Sequence, residues 1–200
     1  PGLPASVTWI EGAAPGDALA ALDTLGRQGA LLPSDRVLVM AWEWLDVVPC
    51  PVVEVDEDGA ARLVLVDPRT GAETLGDSPD PADQEWLDGW WPLDGAETGD
   101  RAEVGRPRDE AWTALVTGLR ELGLRACLLA VDYDHGRASR PPGGSLSGFR
   151  AGRQVPPRPD GSCDLTAHVS LDAVQAAGER AGATTVTLTR QAEALRALDV

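Results

Sequence analysis

The sequence lacks lysine, and its 200 residues include only one methionine, one phenylalanine and two histidines. All 17 basic side chains are therefore arginines, against 32 Asp and Glu, and the formal net charge is −15. Because such a chain repels phosphates, we expect neither nucleic acids nor anionic membranes as partners. No apolar run approaches the roughly 20 residues of a bilayer span, and no signal peptide is recognisable.

Cysteine is also scarce. Cys50, Cys127 and Cys163 are far apart and form no CxxC pair. This pattern predicts reduced thiols in a cytoplasmic protein. The two histidines show no zinc-ligand spacing, so the sequence predicts no zinc site and gives no residue as a metal ligand. The GxSxG, P-loop and HExxH motifs are absent, so no local signature of those enzyme classes is present.

What the sequence does contain is organised around Val37–Pro49, within a chain long enough for one domain with its own core. Val37–Ala41 is an unbroken apolar run, which predicts a strand buried on both faces of a parallel sheet. Glu43 and Asp46 follow it, at the position where open α/β sheets bind ligands.

A second apolar run repeats this arrangement. Ala126–Val131 is followed by the titratable segment Asp132–His135. Upstream, a strand over Val7–Ile10 and a helix over Ala18–Gln28, capped by Asp17, complete a predicted βαβ unit. Because carboxyl ends of neighbouring parallel strands meet at one edge, we expect Glu43 and Asp132 to share a crevice.

Residues 52–108 interrupt the α/β pattern and are predicted to form an antiparallel insertion. Asp58-Gly59 between two β-rich runs, Val52–Asp56 and Ala61–Asp67, predicts a hairpin. The following stretch, Asp77–Arg108, is rich in Pro, Gly and Asp, which predicts a long loop. We expect this loop to be ordered, because it contains three large apolar side chains that need to be covered, Trp86, Trp90 and Trp91. It is either a lid or a loop packed against the core.

The remainder of the chain alternates again. Asp109 is expected to cap a helix over Glu110–Leu122. Arg137–Pro159 reads as an arginine-rich loop, and Cys163–Val169 has the period of a strand. The last predicted elements are a helix over Leu171–Ala181 capped by Ser170, a strand over Thr184–Leu188 and a helix over Gln191–Leu198.

The acids at the two strand ends allow more than one chemistry. Glu43, Asp46 and Asp132 could form a general acid/base pair, a magnesium site beside a phosphate, or hydrogen-bond acceptors for a polar ligand. His168 fits either a structural or a chemical role. From the residues alone these alternatives stay open.

Five segments occur in an order that resembles one family. They are Ala41–Pro49 (ANE-x-LD-x-P in the family), Val131–His135 (DYG), Arg140–Arg150 (R-x-x-GT-L), Asp160–Val169 (PG-x-x-DiTaHV) and Gln191–Leu198 (Q-x-x-x-L). These segments are similar to those of the MidA-like S-adenosylmethionine-dependent methyltransferases, and they cover nearly the whole chain.

The resemblance implies a Rossmann-like methyltransferase fold, incomplete at the amino terminus and carrying the antiparallel β insertion. It implies S-adenosyl-L-methionine as cofactor and a protein side chain as acceptor. Arginine is suggested as that side chain because the family's mitochondrial member, an assembly factor for respiratory complex I, methylates a protein arginine. The residues implied at the cofactor's methionine end are Ala41, Trp42 and Glu43. The catalytic and acceptor-side residues implied are Glu43, Asp46, Asp132, Tyr133 and His168.

Two positions differ from the family pattern. Trp42 replaces an Asn and Asp134 replaces a Gly. The family's glycine-rich loop and ribose-binding acid lie upstream of Pro1, so we expect either a fragment of a longer enzyme or a shortened relative. These differences support a second hypothesis, a non-catalytic interaction or assembly module that has lost cofactor binding. A metal hydrolase using the acids is a third.

Overall fold

The computed structural model describes residues 18–199. The helices are α1 (Ala18–Arg27), α2 (Pro81–Trp90), α3 (Arg106–Glu121), α4 (Leu171–Arg180) and α5 (Gln191–Ala197). The strands are β1 (Arg36–Trp42), β2 (Val52–Val55), β3 (Ala61–Val66), β4 (Glu73–Leu75), β5 (Arg101–Glu103), β6 (Arg125–Val131), β7 (Ser147–Arg150), β8 (Arg153–Val155) and β9 (Asp164–Thr166). The strand expected over Val7–Ile10 and the Asp17 cap lie outside the described residues.

The two apolar runs form adjacent parallel strands, as predicted. β1 and β6 pair from Arg36 opposite Arg125 to Trp42 opposite Val131. The two strands therefore end at the same level, and the residues that follow them emerge at one edge of the sheet.

Only one face of this strand pair is covered by residues 18–199. Val37, Val39 and Ala41 pack against a core that contains Leu22 of α1, residues of α3 and α4, and Leu45. On the opposite face Leu38 is 63% exposed, Met40 56% and Trp42 53%. The prediction of a strand buried on both faces is thus wrong for the described chain. An unbroken apolar run does not reveal which face has a partner.

The insertion forms a four-stranded antiparallel sheet in the order β4-β3-β2-β5, which confirms the hairpin around Asp58-Gly59. The predicted loop over Asp77–Arg108 is wrong, because it contains α2 and β5. Asp80 caps α2 by accepting a hydrogen bond from the backbone of Asp83 at 2.8 Å. Of the two alternatives for the tryptophans, the structure shows packing against a core. Trp86 and Trp91 are buried in a second core cluster, and Trp90 packs against it. The buried residues of this cluster are Val53, Trp86, Leu87, Trp91, Ala102, Val104 and Ala173.

Helix α3 begins one turn earlier than predicted. Its N-cap is Gly105, and Pro107 occupies the first turn, where the missing N–H costs nothing. Asp109, predicted as the cap, lies inside the helix and accepts a hydrogen bond from the Trp86 indole at 2.8 Å. No helix within residues 18–199 is long and apolar enough to cross a membrane.

The carboxyl-terminal third differs from prediction in two places. The loop predicted over Arg137–Pro159 contains β7 and β8, which form a three-stranded sheet with β9 in the order β8-β7-β9. Thr184–Leu188 is not a strand, since its β-branched residues pair with no strand of the described chain. Helices α4 and α5 occur where predicted, although the Ser170 side chain makes no capping hydrogen bond.

Candidate functional site

The site begins where β1 ends. The Glu43 N–H donates to the Val131 carbonyl at 2.8 Å, which extends the pairing of β1 with β6 by one residue. Glu43 then adopts φ = 45°, in the left-handed region that few non-glycine residues occupy. Such backbone conformations cluster at functional sites because the surrounding fold must hold them. The Glu43 side chain is exposed at this edge.

Asp46 joins three segments of the chain. Its backbone N–H donates to Asp132 Oδ1 at 3.1 Å, and the Thr166 hydroxyl donates to its Oδ2 at 2.6 Å. Leu45, fully buried beside it, anchors the loop in the main core. The ends of β1, β6 and β9 are thereby held together around one buried carboxylate.

The Asp132 carboxyl group at this junction is electrostatically unusual. Burial raises the pKa of Asp132 to about 6, and the negative charge of Asp46 adds to this effect, while the hydrogen bond from Asp46 opposes it. Asp46 Oδ1 and Asp132 Oδ2 are buried and have no hydrogen-bond partner within the described residues. Buried polar atoms without partners are uncommon in native proteins, and a bound water, an ion or a polar group of a ligand can satisfy them.

Aromatic rings extend the site beyond the carboxylates. The Tyr133 hydroxyl donates to Glu43 Oε1 at 3.4 Å. Its ring stacks on His168, with centroids 5.8 Å apart and planes at 23°. Both rings are exposed, so they form an open shelf next to Glu43.

The residues predicted for the cofactor differ in what they can offer. The Ala41 side chain is buried in the main core, so only its backbone can approach a ligand. Trp42 and Glu43 are both exposed. The structure thus gathers all the predicted catalytic residues at one edge, while their chemical roles stay predictions. Within residues 18–199 no three His, Cys, Asp or Glu side chains converge as a metal site would require.

Arg108 was missed by the sequence analysis. It is 2% exposed and lies in the first turn of α3. Its guanidinium donates to the carbonyls of Asp46 at 3.0 Å, Val48 at 3.4 Å and His168 at 2.8 Å. It therefore ties the loop after β1 to the segment before α4, and its charge helps to lower the pKa of Asp132 against burial. The role of Arg108 could not be predicted from a local sequence pattern, because it depends on contacts with residues about 60 positions away.

His135 was recognised only as the end of the titratable segment Asp132–His135 and was not predicted as a site residue. It is 6% exposed, and its Nδ1 lies 2.7 Å from Arg140 Nη1, while Arg140 also pairs with both oxygens of Asp172. Because a guanidinium only donates, Nδ1 must accept, so the proton of the neutral ring is on Nε2. Burial lowers the His135 pKa, which keeps this ring neutral at pH 7. The available signal was Arg140, which opens one of the recognised segments.

Comparison with known proteins gives the site a family context. A family model described as "Putative S-adenosyl-L-methionine-dependent methyltransferase" matches residues 6–189. No curated protein matches the chain.

Two crystal structures of proteins from Burkholderia thailandensis, members of one superfamily, are similar to the chain. One is a candidate methyl transferase bound to S-adenosyl-homocysteine. It has a TM-score of 0.56 and 23% identity, over 80% of this chain and 44% of that one. The other, a native structure, has a TM-score of 0.56 and 22% identity over 80% and 46%. The chain spans less than half the length of either. At this identity the likeness concerns the fold, and it confirms the Rossmann-like methyltransferase fold expected from the sequence.

Proposed function

Because the chain belongs to this family of S-adenosyl-L-methionine-dependent methyltransferases, we propose that it transfers a methyl group to a protein side chain, with arginine as the acceptor. The order of the five sequence segments supports placing it in the MidA-like branch. The observation that carries the proposal is the meeting of Glu43, Asp46 and Asp132 at the ends of two parallel strands. All three cysteines are free, which supports a cytoplasmic location.

The carboxylates at this edge of the sheet suit the cofactor's positively charged end. S-adenosyl-L-methionine carries a sulfonium and an ammonium group, and carboxylates complement both. Trp42 and Glu43, exposed at the end of β1, would hold this end, and the unpaired oxygens of Asp46 and Asp132 add negative potential beside it. When bound, the cofactor supplies an electrophilic methyl group.

The same edge suits a guanidinium acceptor. A planar guanidinium binds carboxylates through parallel hydrogen bonds and stacks on aromatic faces. Glu43 offers the carboxylate, and the rings of Tyr133 and His168 offer the stacking surface. Methylation of a nitrogen releases one proton from it, and Asp132, with a pKa of about 6, is matched to accept that proton near neutral pH. The net charge of −15 favours encounter with a basic protein.

Calorimetric titration of S-adenosyl-L-methionine into the 200-residue chain tests cofactor binding directly. We expect saturable heat, and no heat at millimolar cofactor would overturn the enzyme proposal for this chain. Glu43→Gln should abolish transfer to an arginine-containing protein. Its affinity for the cofactor should stay largely intact, because the glutamine oxygen still accepts a hydrogen bond from the cofactor's ammonium group. Glu57→Gln, an exposed Glu in the turn between β2 and β3, is the matched control and should transfer like wild type.

One observation supports a second candidate, a non-catalytic interaction or assembly module. Leu38, Met40 and Trp42 expose a continuous apolar strip along one face of β1, and such surfaces mark interaction sites. Trp42 also stands where the MidA-like pattern has an Asn. This candidate requires that the titration give no heat and that the wild-type chain transfer no methyl group.

A further inference from the structure

A buried carboxylate of the insertion reaches the candidate site. Glu103, the last residue of β5, is 2% exposed. Its Oε1 accepts hydrogen bonds from the backbone N–H groups of Ser145 at 2.7 Å and Leu146 at 2.9 Å. Its Oε2 accepts from the Ser145 hydroxyl at 3.1 Å. Three donors from one loop thus compensate the burial of this charge.

The loop is shaped around this carboxylate. Gly144 has φ = 71°, and a Cβ placed there would lie 2.6 Å from Glu103 Oε1. Only glycine permits both the backbone conformation and this approach. The contact between the insertion and the loop before β7 is therefore built by the backbone itself.

The Ser145 hydroxyl connects Glu103 to the backbone of His168. The Ser145 hydroxyl, while donating to Glu103, accepts the backbone N–H of His168 at 2.9 Å. The carbonyl of the same His168 accepts from Arg108 Nη1 at 2.8 Å. The backbone of His168 is therefore held on both sides by connections to buried charged groups, Glu103 through Ser145 and Arg108 directly.

The side chain of His168 is exposed, and its ring contacts two neighbouring rings. It stacks on Tyr133 and lies 6.1 Å from His135 in a tilted arrangement. The position of the ring therefore depends strongly on how its backbone is held. We propose that Glu103 is a positioning residue for His168, acting through the Ser145 hydroxyl, so that the antiparallel insertion forms part of the acceptor side. The catalytic consequence rests on the proposed methyl transfer, whereas the positioning itself does not.

Ser145→Ala tests the link by removing the bridging hydroxyl and keeping both backbone donors to Glu103. The chain has only two histidines, so proton NMR resolves each ring, and His168→Gln assigns the signals. We expect the His168 signals of Ser145→Ala to move towards those of an unstacked ring, while those of His135 stay in place. For methyl transfer, kcat should fall about tenfold with an unchanged KM for the cofactor, since small misplacements of a site group cost this much or more. Ser145→Thr, which restores the hydroxyl, should recover both.

The control is Ser78→Ala, which removes an exposed hydroxyl of the insertion that accepts from Arg62. It should leave the histidine signals and kcat unchanged. If Ser145→Ala does not fold, Glu103→Gln takes its place with the same expected shift and loss.

Unmoved His168 signals would overturn the positioning role. Moved signals with unchanged kcat would show that Glu103 positions His168 but that the insertion is not part of the acceptor side, which would overturn that half of the proposal. If the wild-type chain transfers no methyl group, the proposed function fails, and the NMR comparison alone decides whether Glu103 positions His168.

Discussion

The backbone N–H of Asp46 donates to Oδ1 of Asp132 at 3.1 Å, across 86 residues of sequence. The bond is possible because Trp42 lies opposite Val131, so the chain after β1 and the chain after β6 leave the sheet at the same level. It keeps one oxygen of Asp132 occupied and leaves the other, Oδ2, buried without a partner among residues 18–199. Under the proposed methyl transfer, this unpaired oxygen is the one that would take up the proton released by the acceptor.

This arrangement predicts a pH dependence of methyl transfer. Asp132 must be ionised to take up a proton, and its pKa is about 6, so transfer by the wild-type chain should rise as the pH increases through about 6. Asp132→Asn keeps an acceptor oxygen for Asp46 and removes the ionisable group, so kcat at pH 7.5 should fall about 10²- to 10⁴-fold. Profiles of kcat against pH check this, with Asp88→Asn, an exposed Asp of α2, as control. A limb near pH 6 that survives in Asp132→Asn would contradict the assignment.

Stability should depend on pH in the opposite sense. Burial raises the pKa of both Asp109 and Asp132 to about 6, above the unfolded value of about 3.9. The folded state therefore binds these protons more tightly, and the resulting stabilisation is full below about pH 4 and is lost as the pH rises through about 6.

The double variant Asp109→Asn/Asp132→Asn tests this prediction. Its free energy of unfolding should fall less than that of wild type between pH 4.5 and pH 7. Urea denaturation at the two pH values measures the difference. Equal slopes for the two proteins would show that these carboxyl groups do not have raised pKa values.

Short-range patterns were enough to find the strands that build the site. The apolar runs in β1 and β6 are local signals, and their parallel pairing follows from the α/β alternation around them. Helix α2 was hidden because Pro, Gly and Asp dominate the composition of its surroundings, although Asp80-Pro81 is a recognisable start of a helix. Thr184–Leu188 shows the reverse error, since β-propensity describes a side chain that suits a sheet and does not provide the neighbouring strand.

Long-range contacts set the limit of sequence reasoning for the candidate site. Glu43, Asp46, Asp132, Tyr133 and His168 could be named because they follow strands or lie in recognised segments. Arg108 and Glu103 could not, because their importance comes from burial against loops about 40 to 60 residues away. For the same reason Asp109 was assigned to a helix cap, while its actual partner is the indole of Trp86.

Arg108 should be a major source of stability for the site. Replacing it with Met keeps much of the side-chain volume but leaves the carbonyls of Asp46, Val48 and His168 without this donor. Because an unpaired buried polar group costs about 1–3 kcal/mol, Arg108→Met should lower the free energy of unfolding by about 3 kcal/mol or more. Chemical denaturation measures the loss, and Arg69→Met, at an exposed turn, should change stability by less than about 0.5 kcal/mol. A loss for Arg108→Met as small as that of the control would show that the three bonds contribute little.

Gly144 and Gly152 have nearly the same backbone conformation, but only Gly144 lies against Glu103. Comparing an Ala substitution at each therefore measures the effect of the contact with Glu103. Their φ angles are 71° and 72°, so a change to Ala imposes similar backbone strain at both, on the order of 1 kcal/mol. A Cβ at Gly152 would meet no atom within 4 Å, whereas one at Gly144 would lie 2.6 Å from Glu103 Oε1. Since Glu103 is buried and bound by three donors, it can move aside only by losing those hydrogen bonds.

Gly144→Ala should therefore lower the free energy of unfolding by at least about 1 kcal/mol more than Gly152→Ala. Urea denaturation of the two variants measures this difference. Gly144→Ala should also move the His168 NMR signals, because the loop that carries Ser145 is displaced, and Gly152→Ala should leave them in place. Equal losses of stability, together with unmoved His168 signals in both variants, would mean that the loop can retreat from Glu103 without consequence for the site.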